Sequence, residues 1–411
     1  MACDLKTENS CGLFLDALRC ALHAEHVSWE HAPECDDWNG MCRLAREHDV
    51  LPLLAEALNG TQAAAPDDLR FELLKRSARE LTIRQAHATG EFKQLYRYLL
   101  EQGLHPAVVK GVTLRQMYPH PDQRISADED ILIPKAELGA CCAALEAYGL
   151  SRVHPGEDPD EAYEVAFHCR PMHLYIEVHT LLFEPDSVAY GDCNAPLDGA
   201  LDRSVEIMLG GVVYRTLAPT DHFLYLLLHA YKHFLHGGVG IRQICDICLF
   251  SERYSSEIDF GRVEEECAKL RLTKFCAALL DIGRERLGLC PHEVFAGEKV
   301  DCEPLLRDVL EGGSFGTSSV DRAHSSNMTL DAVAAKKRGR RSGGALRSVF
   351  LPRSALIARY PYLKKYPALL PIAWAQRIHG YVFGKKRVSP KESIRIGRER
   401  KALLREYGII E

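Results

Sequence analysis

The pattern of apolar residues over the first hundred positions is helical. Apolar side chains recur at spacings of three and four residues, and Asp67 and Asp68 after Pro66 are typical of a helix start. The predicted helices are Leu13–His23, Asp37–His48, Leu51–Leu58 and a long one from about Asp68 to Gln102. Glycine favours the position after a helix, so Gly103 is predicted to end the last of these.

Between residues 104 and 217 the pattern changes to short strands and helices. The predicted strands are the HPAVVKG segment at 105–111, then Asp128–Ile133, Tyr163–Cys169 and His173–Leu181, the last two with the alternation of half-buried strands. A helix is predicted to begin at Thr113–Tyr118, and another over Lys135–Tyr148, ending at Gly149. No βαβ repeat is present. The sequence therefore predicts an α+β fold, with a small mixed sheet flanked by N- and C-terminal helical regions.

The remainder is predicted to be helical apart from one linker. Helices are expected over Thr220–His233, Ile241–Phe250 and Phe260–Leu287. Five regions follow: an N-terminal helical region (1–103), a mixed-sheet core (104–217), a helical domain (218–311), a flexible basic linker rich in Gly and Ser (312–345), and a basic, aromatic-rich helical tail (346–411).

The charge of the chain is unevenly distributed along it. The formal net charge is −6, yet Asp331–Glu411 contains 20 Lys and Arg against 5 Asp and Glu. This basic tail is expected either to fold back on the acidic remainder or to bind an anionic partner. The run Lys336–Arg341 could contact nucleic-acid phosphates, but no nucleic-acid-binding motif accompanies it, so nucleic acid is a minority interpretation.

Several classes of protein are disfavoured by the composition. With 46% hydrophobic and 26% charged residues the chain is typical of a globular protein. No apolar run approaches the roughly 18 residues of a membrane span, and no signal peptide is evident, so a cytoplasmic protein is predicted. The 15 cysteines are expected to be mainly reduced and buried. For Cys245 and Cys248, a C-x-x-C pair, structural thiols are favoured over a metal or redox site.

Two aspartates separated by one residue are the main candidate for chemistry. In a strand, Asp128 and Asp130 point to the same face, about 6.5 Å apart along the backbone. Two carboxylates on one face are costly unless a positive charge lies between them, and a pair of divalent cations is a common solution in phosphoryl transfer. Glu177, on the later strand that ends at His179, is the candidate third acid.

Residues upstream of the aspartates could bind phosphate. A turn at Gly111 would let backbone N–H groups approach a phosphate closely, and Lys110 or Arg124 could neutralise its charge. The alternative interpretation is that the three acids are solvated surface residues. The combination of Lys-Gly turn, arginine and third acid favours a site that binds metal and nucleotide.

The segment KGVTLRQMYPHPDQRISADEDILI resembles the signature of the uncharacterised nucleotidyltransferase family, part of the polymerase-β-like superfamily. The likeness extends over roughly residues 35–280. The matching residues are Lys110-Gly111, Tyr118, Arg124, Asp128-Glu129-Asp130, Glu177 with His179, Pro219-Thr220-Asp221, His229, His233, Arg242 and Asp246.

The resemblance implies a small nucleotidyltransferase core that holds Mg²⁺, or Mn²⁺, through Asp128, Asp130 and Glu177. The wider superfamily commonly has Gly-Ser or Gly-Gly at the phosphate turn, whereas Val112 and Thr113 follow Gly111 here. The serine hydroxyl is therefore missing, and of these two residues only Thr113 has a hydroxyl that could replace it.

Two functional hypotheses follow. The first is a Mg²⁺-dependent enzyme that transfers a nucleoside monophosphate from an NTP such as ATP to an unknown acceptor, with Lys110, Gly111, Thr113 and Arg124 binding the nucleotide. The second is an inactive nucleotide-binding or scaffold protein of the same fold, which the departure at Val112 favours.

The later helices carry two further pairs of polar residues. His229 and His233 lie one turn apart and are expected to be packed or hydrogen-bonded rather than bound to metal. Arg242 and Asp246 are expected to form an ion pair within their helix, with contact to substrate as the alternative.

Overall fold

The structure is a computed structural model, and it describes residues 5–62, 69–156, 158–159, 162–313, 320–339, 350, 353–357, 360–383 and 390–411. The N-terminal helices are those that the periodicity of the sequence predicts, although the first begins at Leu5 rather than at Leu13. They are α1 (Leu5–Leu22), α2 (Cys35–Glu47), α3 (Leu51–Leu58) and α4 (Leu69–Glu101). Gly103, just beyond α4, has a φ of +76°, the left-handed conformation expected of a residue that ends a helix.

The middle of the chain forms one seven-stranded mixed sheet. Its strands are β1 (Ala107–Val108), β2 (Glu129–Leu132), β3 (Ser151–Arg152), β4 (Glu164–Cys169), β5 (Leu174–His179), β6 (Val205–Leu209) and β7 (Val212–Thr216), in the order β3-β4-β5-β2-β1-β7-β6. The pairs β2–β5 and β1–β7 are parallel, and the other pairs are antiparallel. Two short helices interrupt the strands, α5 (Val112–Arg115) and α6 (Leu138–Tyr148).

Helices follow the sheet on the C-terminal side. These are α7 (Pro219–His236), α8 (Ile241–Arg253), α9 (Phe260–Lys269), α10 (Thr273–Leu287), α11 (Glu303–Gly312), α12 (Val320–Lys337), α13 (Arg353–Leu356), α14 (Tyr362–Lys365), α15 (Leu370–Phe383) and α16 (Pro390–Glu406). With this sheet and these helical flanks, the predicted α+β fold class is confirmed.

Two predicted features of the C-terminal half differ from the structure. The segment Phe260–Leu287 is two helices, because Arg271 adopts a positive φ of 59° between α9 and α10. The helix α12 lies inside the segment 312–345 predicted to be a flexible linker. The rest of that segment, including Arg340 and Arg341 of the basic run, lies outside the described residues apart from short ends, and the division into five regions stays a prediction.

The end of the basic tail packs on the rest of the protein. Helix α16 lies against α12, and the Arg400 side chain is buried, with its Nε 3.4 Å from Asp308 Oδ1. The Tyr407 hydroxyl donates a hydrogen bond to the Asp301 carbonyl at 3.0 Å. Lys337, at the end of α12, pairs with Asp192 at 2.6 Å. These contacts match the expectation that basic residues of the tail contact the acidic body.

One face of the sheet packs against α4 and α6, and the opposite face, which lies towards α7, carries polar residues beside its apolar ones. Ile131, Ile176 and Val178 are fully buried in a cluster with residues of α4 and α6, such as Leu95 and Leu145. Because side chains alternate along a strand, the residues between them point to the opposite face. That face holds the candidate acids.

Among the described residues, none of the helices is both long enough and apolar enough to cross a lipid bilayer.

A buried histidine predicts that the protein loses stability in mild acid. His48, after α2, is fully buried, and its Nδ1 accepts a hydrogen bond from the Ile241 N–H at 3.2 Å. Burial lowers the pKa of His48 to about 4. Since an unfolded histidine has a pKa of about 6.5, protons favour the unfolded chain below that pH, and stability falls as pH decreases towards 4. We expect a loss of about 2 kcal/mol between pH 7 and pH 5 from this residue.

Chemical denaturation at the two pH values measures this loss. The control is His48→Asn, which keeps an acceptor and cannot titrate. His222, whose pKa burial also lowers to about 4, remains in that variant and contributes over the same range. An unchanged pH dependence in His48→Asn would contradict the assignment.

Candidate functional site

The parallel pairing of β2 with β5 brings the predicted acids together. Asp130 lies directly opposite Glu177 in the register, and Leu132 lies opposite His179. One ligand atom from each of Asp130, Glu177 and His179 lies within 4.8 Å of the other two. Asp128 immediately precedes β2, and its side chain, like that of Glu177, is about one quarter exposed (23% and 24%). Solutes can therefore reach Asp128 and Glu177, whereas Asp130 is buried.

Lys110 provides the positive charge between the two aspartates. Its Nζ lies 2.9 Å from Asp130 Oδ2 and 3.8 Å from Asp128 Oδ2. It follows β1, the neighbour of β2 on the side away from β5. The sequence alone predicts metal ions between the aspartates and a contact between Lys110 and phosphate. In the structure, Lys110 is the counter-ion of the acids.

His179 is a second cation in the cluster. Its Nε2 lies 3.1 Å from Asp130 Oδ1 and 3.7 Å from Glu177 Oε2. Burial opposes protonation, but the hydrogen bonds with Asp130 and Glu177 outweigh it and raise the pKa of His179 to about 9.

The two carboxylates respond differently to the same surroundings. Burial alone would raise the pKa of Asp130, but Lys110 and His179 hold it well below its usual range. Burial raises the pKa of Glu177, and the hydrogen bond with His179 only partly opposes this. Asp130 is thus the firmly ionised acid of the cluster.

The two histidines of α7 extend this network away from the acids. His229 Nε2 lies 3.2 Å from Lys110 Nζ and 3.1 Å from His233 Nε2. Burial, followed by the charge of Lys110, lowers the pKa of each ring well below its ordinary value. A neutral His229 can accept a hydrogen bond from the Lys110 ammonium. This agrees with the expectation of packed, hydrogen-bonded histidines.

Arg124 is held in a buried ion pair that the sequence analysis did not anticipate. Its Nε and Nη2 donate to Asp246 Oδ1 and Oδ2 at 2.7 and 2.6 Å, and the Tyr118 hydroxyl donates to Oδ1 at 2.8 Å. The prediction of an ion pair between Arg242 and Asp246 is therefore wrong. Arg242 instead donates to the Ile125 carbonyl. Side chains one turn apart on a helix can meet, but here the guanidinium of Arg124 offers Asp246 a bidentate partner.

Glu129 lies between the two aspartates in the sequence, and its side chain points to the opposite face of the sheet. There it stabilises the turn at Gly111. Its Oε2 accepts a hydrogen bond from the Val112 N–H at 2.9 Å, and its carboxylate pairs with the buried Arg115. The Thr113 hydroxyl donates to the Lys110 carbonyl at 3.2 Å. A backbone N–H and a hydroxyl predicted to be available for phosphate thus already have partners within the chain.

This turn predicts a strict requirement for glycine. Gly111 has a φ of +63°, and a methyl group there would overlap the Glu129 carboxylate. We expect Gly111→Ala to reduce the free energy of unfolding by about 2 kcal/mol, through backbone strain and displacement of Glu129. The control is Gly103→Ala, which has a φ of +76° and open space around it. Equal losses in the two variants, measured by chemical denaturation, would show that the Glu129 contact is unimportant.

Two cavities lie near the acids, and Asp128 lines the smaller of them. The smaller, about 30 Å³, lies beside Lys110, Gly111, Arg124 and Asp128 and against α7 and α8. It is too small for a nucleotide while Lys110 keeps its present position. The larger, about 700 Å³, extends from Ser126 and Ala127 along the end of β4 and the beginning of β5. Arg242 lines both cavities.

The predicted site residues thus fall into two groups. Asp128, Asp130, Glu177 and Lys110 converge on one point. Gly111, Thr113 and Arg124 lie beside it, but Thr113 and much of Arg124 are already hydrogen-bonded within the chain. Sequence reasoning missed the roles of residues that act through long-range contacts: Arg115, Glu129, His179 and Asp246. Only His179 had a local signal, since it follows Glu177 by two residues on one strand face.

The ligand atoms of this cluster suit a divalent cation. Carboxylate oxygens are the ligands that Mg²⁺ and Mn²⁺ prefer, and an imidazole nitrogen is compatible with Mn²⁺ when the ring has lost its extra proton. Asp130, Glu177 and His179 offer such atoms in close proximity, and Asp128 adds a carboxylate on the other side of Lys110 Nζ. Among the described residues, this is the one group of three or more His, Cys, Asp or Glu that could hold an ion.

Comparison with known proteins gives one match. The family model described as uncharacterised nucleotidyltransferase matches residues 34–288, more than half of the chain. No curated protein and no solved structure gives a significant match. The matched region includes the whole sheet and the helices α7 and α8 that cover the acids. The chain therefore belongs to the uncharacterised nucleotidyltransferase family, as its sequence motifs predict.

Proposed function

We propose that the protein is a Mg²⁺- or Mn²⁺-dependent enzyme that transfers a nucleoside monophosphate from an NTP to an acceptor hydroxyl. Family membership supports nucleotidyl transfer in general. The observation that favours catalysis by this chain is the alignment of Asp130 with Glu177 across the parallel β2–β5 pair, with Asp128 next to them. Asp128, Asp130 and Glu177 would hold the metal.

The reaction is an in-line displacement at the α-phosphorus. The acceptor oxygen forms a bond to phosphorus and releases its proton to solvent, while the bond to the β-phosphate oxygen breaks and pyrophosphate leaves. A bound divalent cation would supply charge stabilisation and lower the pKa of the acceptor hydroxyl. The carboxylates of Asp128 and Asp130 orient the reacting groups, and Glu177 serves the acceptor side.

Lys110 has two roles in this proposal. In the present structure its ammonium balances the buried charge of Asp130. With nucleotide bound, we propose that the side chain turns from Asp130 towards a phosphate oxygen and enlarges the small cavity. The flexible stem of a lysine permits this movement without a change of backbone.

Arg124 keeps one donor for the nucleotide. Its Nε and Nη2 are engaged by Asp246, but its buried Nη1 has no hydrogen-bond partner among the described residues. Arg124 also lines the small cavity together with Lys110 and Gly111. We propose that Asp246 orients Arg124 and that Nη1 donates to a phosphate oxygen as pyrophosphate leaves.

A second candidate function is a nucleotide-binding or scaffold protein that does not turn over. The observation that favours it is the Gly111 turn, where Glu129 already accepts the Val112 N–H that a phosphate would need. In that case nucleotide binds and no pyrophosphate is released.

The experiment is calorimetry with ATP and Mg²⁺, together with an assay of pyrophosphate release across labelled NTPs and a panel of acceptors. The enzyme predicts label transfer that disappears in the double variant Asp128→Asn, Asp130→Asn. Binding of ATP without any release across the panel favours the binding protein. Transfer that survives the double substitution would refute the assignment of the metal to these residues.

A further inference from the structure

The larger cavity beside the acids is unusually basic for its position. Its walls include Arg84, Arg170 and Arg242 together with His168 and His173, and the acidic residue among them is Asp49. This concentration lies within the part of the chain that carries the acidic excess. A positive cleft next to a group of carboxylates attracts an anion to a defined place.

Among the residues that the structure describes, the three arginines of this cleft have no acidic partner. Elsewhere in the protein, arginines commonly pair with carboxylates, as Arg43 does with Glu47 at 2.9 Å. Within the described parts of the chain, no carboxylate pairs with Arg84, Arg170 or Arg242. Guanidinium groups that have no carboxylate partner can bind phosphate or carboxylate ligands bidentately.

Two buried donors in the wall also lack acceptors within the described part of the chain. Gln85 Nε2 and Arg242 Nε are buried and have no hydrogen-bond partner among the described residues, and both side chains are at least nine-tenths buried (3% and 5% exposed). A buried donor without a partner is costly, so such groups are usually satisfied by water or ligand. Both residues line this cleft, and both are donors, as an anionic ligand requires.

The cleft meets the small cavity at Ser126 and Arg242, but it extends away from the proposed nucleotide side. Tyr175 lines the cleft, points to the same face as Glu177 and precedes it by two residues, about 6–7 Å along β5. Its partner in the register of β4 is His168, which also lines the cleft. Lys110 and Gly111 lie beyond β2, on the β1 side. A ligand in the cleft therefore approaches the acids from the side of Glu177.

We propose that this cleft binds the acceptor, and that the acceptor is a small molecule carrying a phosphate monoester or carboxylate group. The proposal depends on the proposed transferase function. The anionic group contacts Arg84, Arg170 and Arg242, and the acceptor hydroxyl lies towards Glu177 and Asp128. A volume of about 700 Å³ suits a small molecule, whereas a nucleic-acid strand requires a longer groove.

The test uses the full-length protein and three probes: glycerol 3-phosphate, succinate and uncharged glycerol. Binding is followed by calorimetry and by protection of individual arginines from phenylglyoxal, located by peptide mapping. We expect glycerol 3-phosphate or succinate, but not glycerol, to protect Arg84 and Arg170. Arg79, exposed on the same helix as Arg84 and facing a different cavity, is the internal control and should stay reactive.

Substitution provides the second arm. The double variant Arg84→Gln, Arg170→Gln changes two exposed side chains, so the fold should be retained. We expect it to weaken anion binding by about 10-fold or more, and the matched variant Arg79→Gln to leave it unchanged. Binding of Mn²⁺ with a nonhydrolysable ATP analogue should be unaffected in both variants.

Four results would overturn the proposal. One is no protection by either anion, and another is equal weakening by Arg79→Gln. The third is competition between the ATP analogue and the anion for the cleft, which would make it the triphosphate site. The fourth is binding of an unphosphorylated single-stranded RNA, lost in the double variant, without binding of the small anions. If the wild type binds the anions but no nucleotide with Mn²⁺, the proposed function fails, and the acceptor assignment fails with it while an anion site remains.

Discussion

Replacing Asp130 by asparagine is expected to reduce metal-dependent pyrophosphate release by about 10³-fold and to abolish tight Mn²⁺ binding. Asp130 is 1% exposed and contacts both cations of the cluster, Lys110 and His179. Asparagine preserves its shape but removes the charge that a divalent cation requires. Release is measured with the NTP and acceptor panel, and binding is measured by titration with Mn²⁺.

The control for this substitution is Asp308→Asn. Asp308 is also buried, and it pairs with Arg322 at 2.6 Å and with Arg400 at 3.4 Å in the C-terminal part of the chain. The Asp308→Asn variant therefore shows how much the loss of a buried carboxylate lowers stability when the proposed metal site is intact. We expect Asp308→Asn to lower the temperature of unfolding while Mn²⁺ still binds. Normal Mn²⁺ binding by Asp130→Asn would refute the proposed metal site.

The Asp246→Ala variant is expected to lose about 3–5 kcal/mol of unfolding free energy, measured by chemical denaturation. The substitution leaves the charge of Arg124 buried without its bidentate partner and removes the acceptor of the Tyr118 hydroxyl. Asp246 is itself only 4% exposed. A charge that is buried and unpaired costs far more than the pair contributes.

Two further variants test this explanation. Arg124→Met combined with Asp246→Leu removes both charges and should be less destabilising than Asp246→Ala alone. Glu80→Ala breaks the exposed pair with Arg76 on α4 and should cost less than about 0.5 kcal/mol. If the double variant lost as much free energy of unfolding as the two single substitutions together, the buried pair would have no special role.

The elements that were predicted correctly are those with a local signal. The periodicity of α1–α4 and the glycines after α4 and α6 depend on neighbouring residues, and so do the alternating residues of β4 and β5. Strands β3, β6 and β7 were not predicted. Their pairing depends on partners far away in the chain, such as Ala107 opposite Arg215, and no local pattern specifies such a partner.

The acids of the candidate site could be predicted for the same reason, but their surroundings could not. Asp128 and Asp130 lie two positions apart in the sequence. The ammonium of Lys110 between them, by contrast, depends on the antiparallel pairing of β1 with β2. The partner of Arg124 lies 122 residues away. The prediction of a flexible linker at 312–345 was based on composition, and it did not foresee that α12 packs against α7 and α16.

In the proposed enzyme, Asp128, Asp130 and Glu177 hold a divalent cation when nucleotide binds. The most direct measurement is the anomalous diffraction of Mn²⁺ in crystals of the full-length protein grown with a nonhydrolysable ATP analogue. We predict Mn²⁺ peaks within bonding distance of these carboxylates, with Lys110 Nζ turned away from Asp130 towards a phosphate oxygen. A bound nucleotide with Lys110 still paired to Asp130 and no Mn²⁺ at the carboxylates would contradict the proposed function.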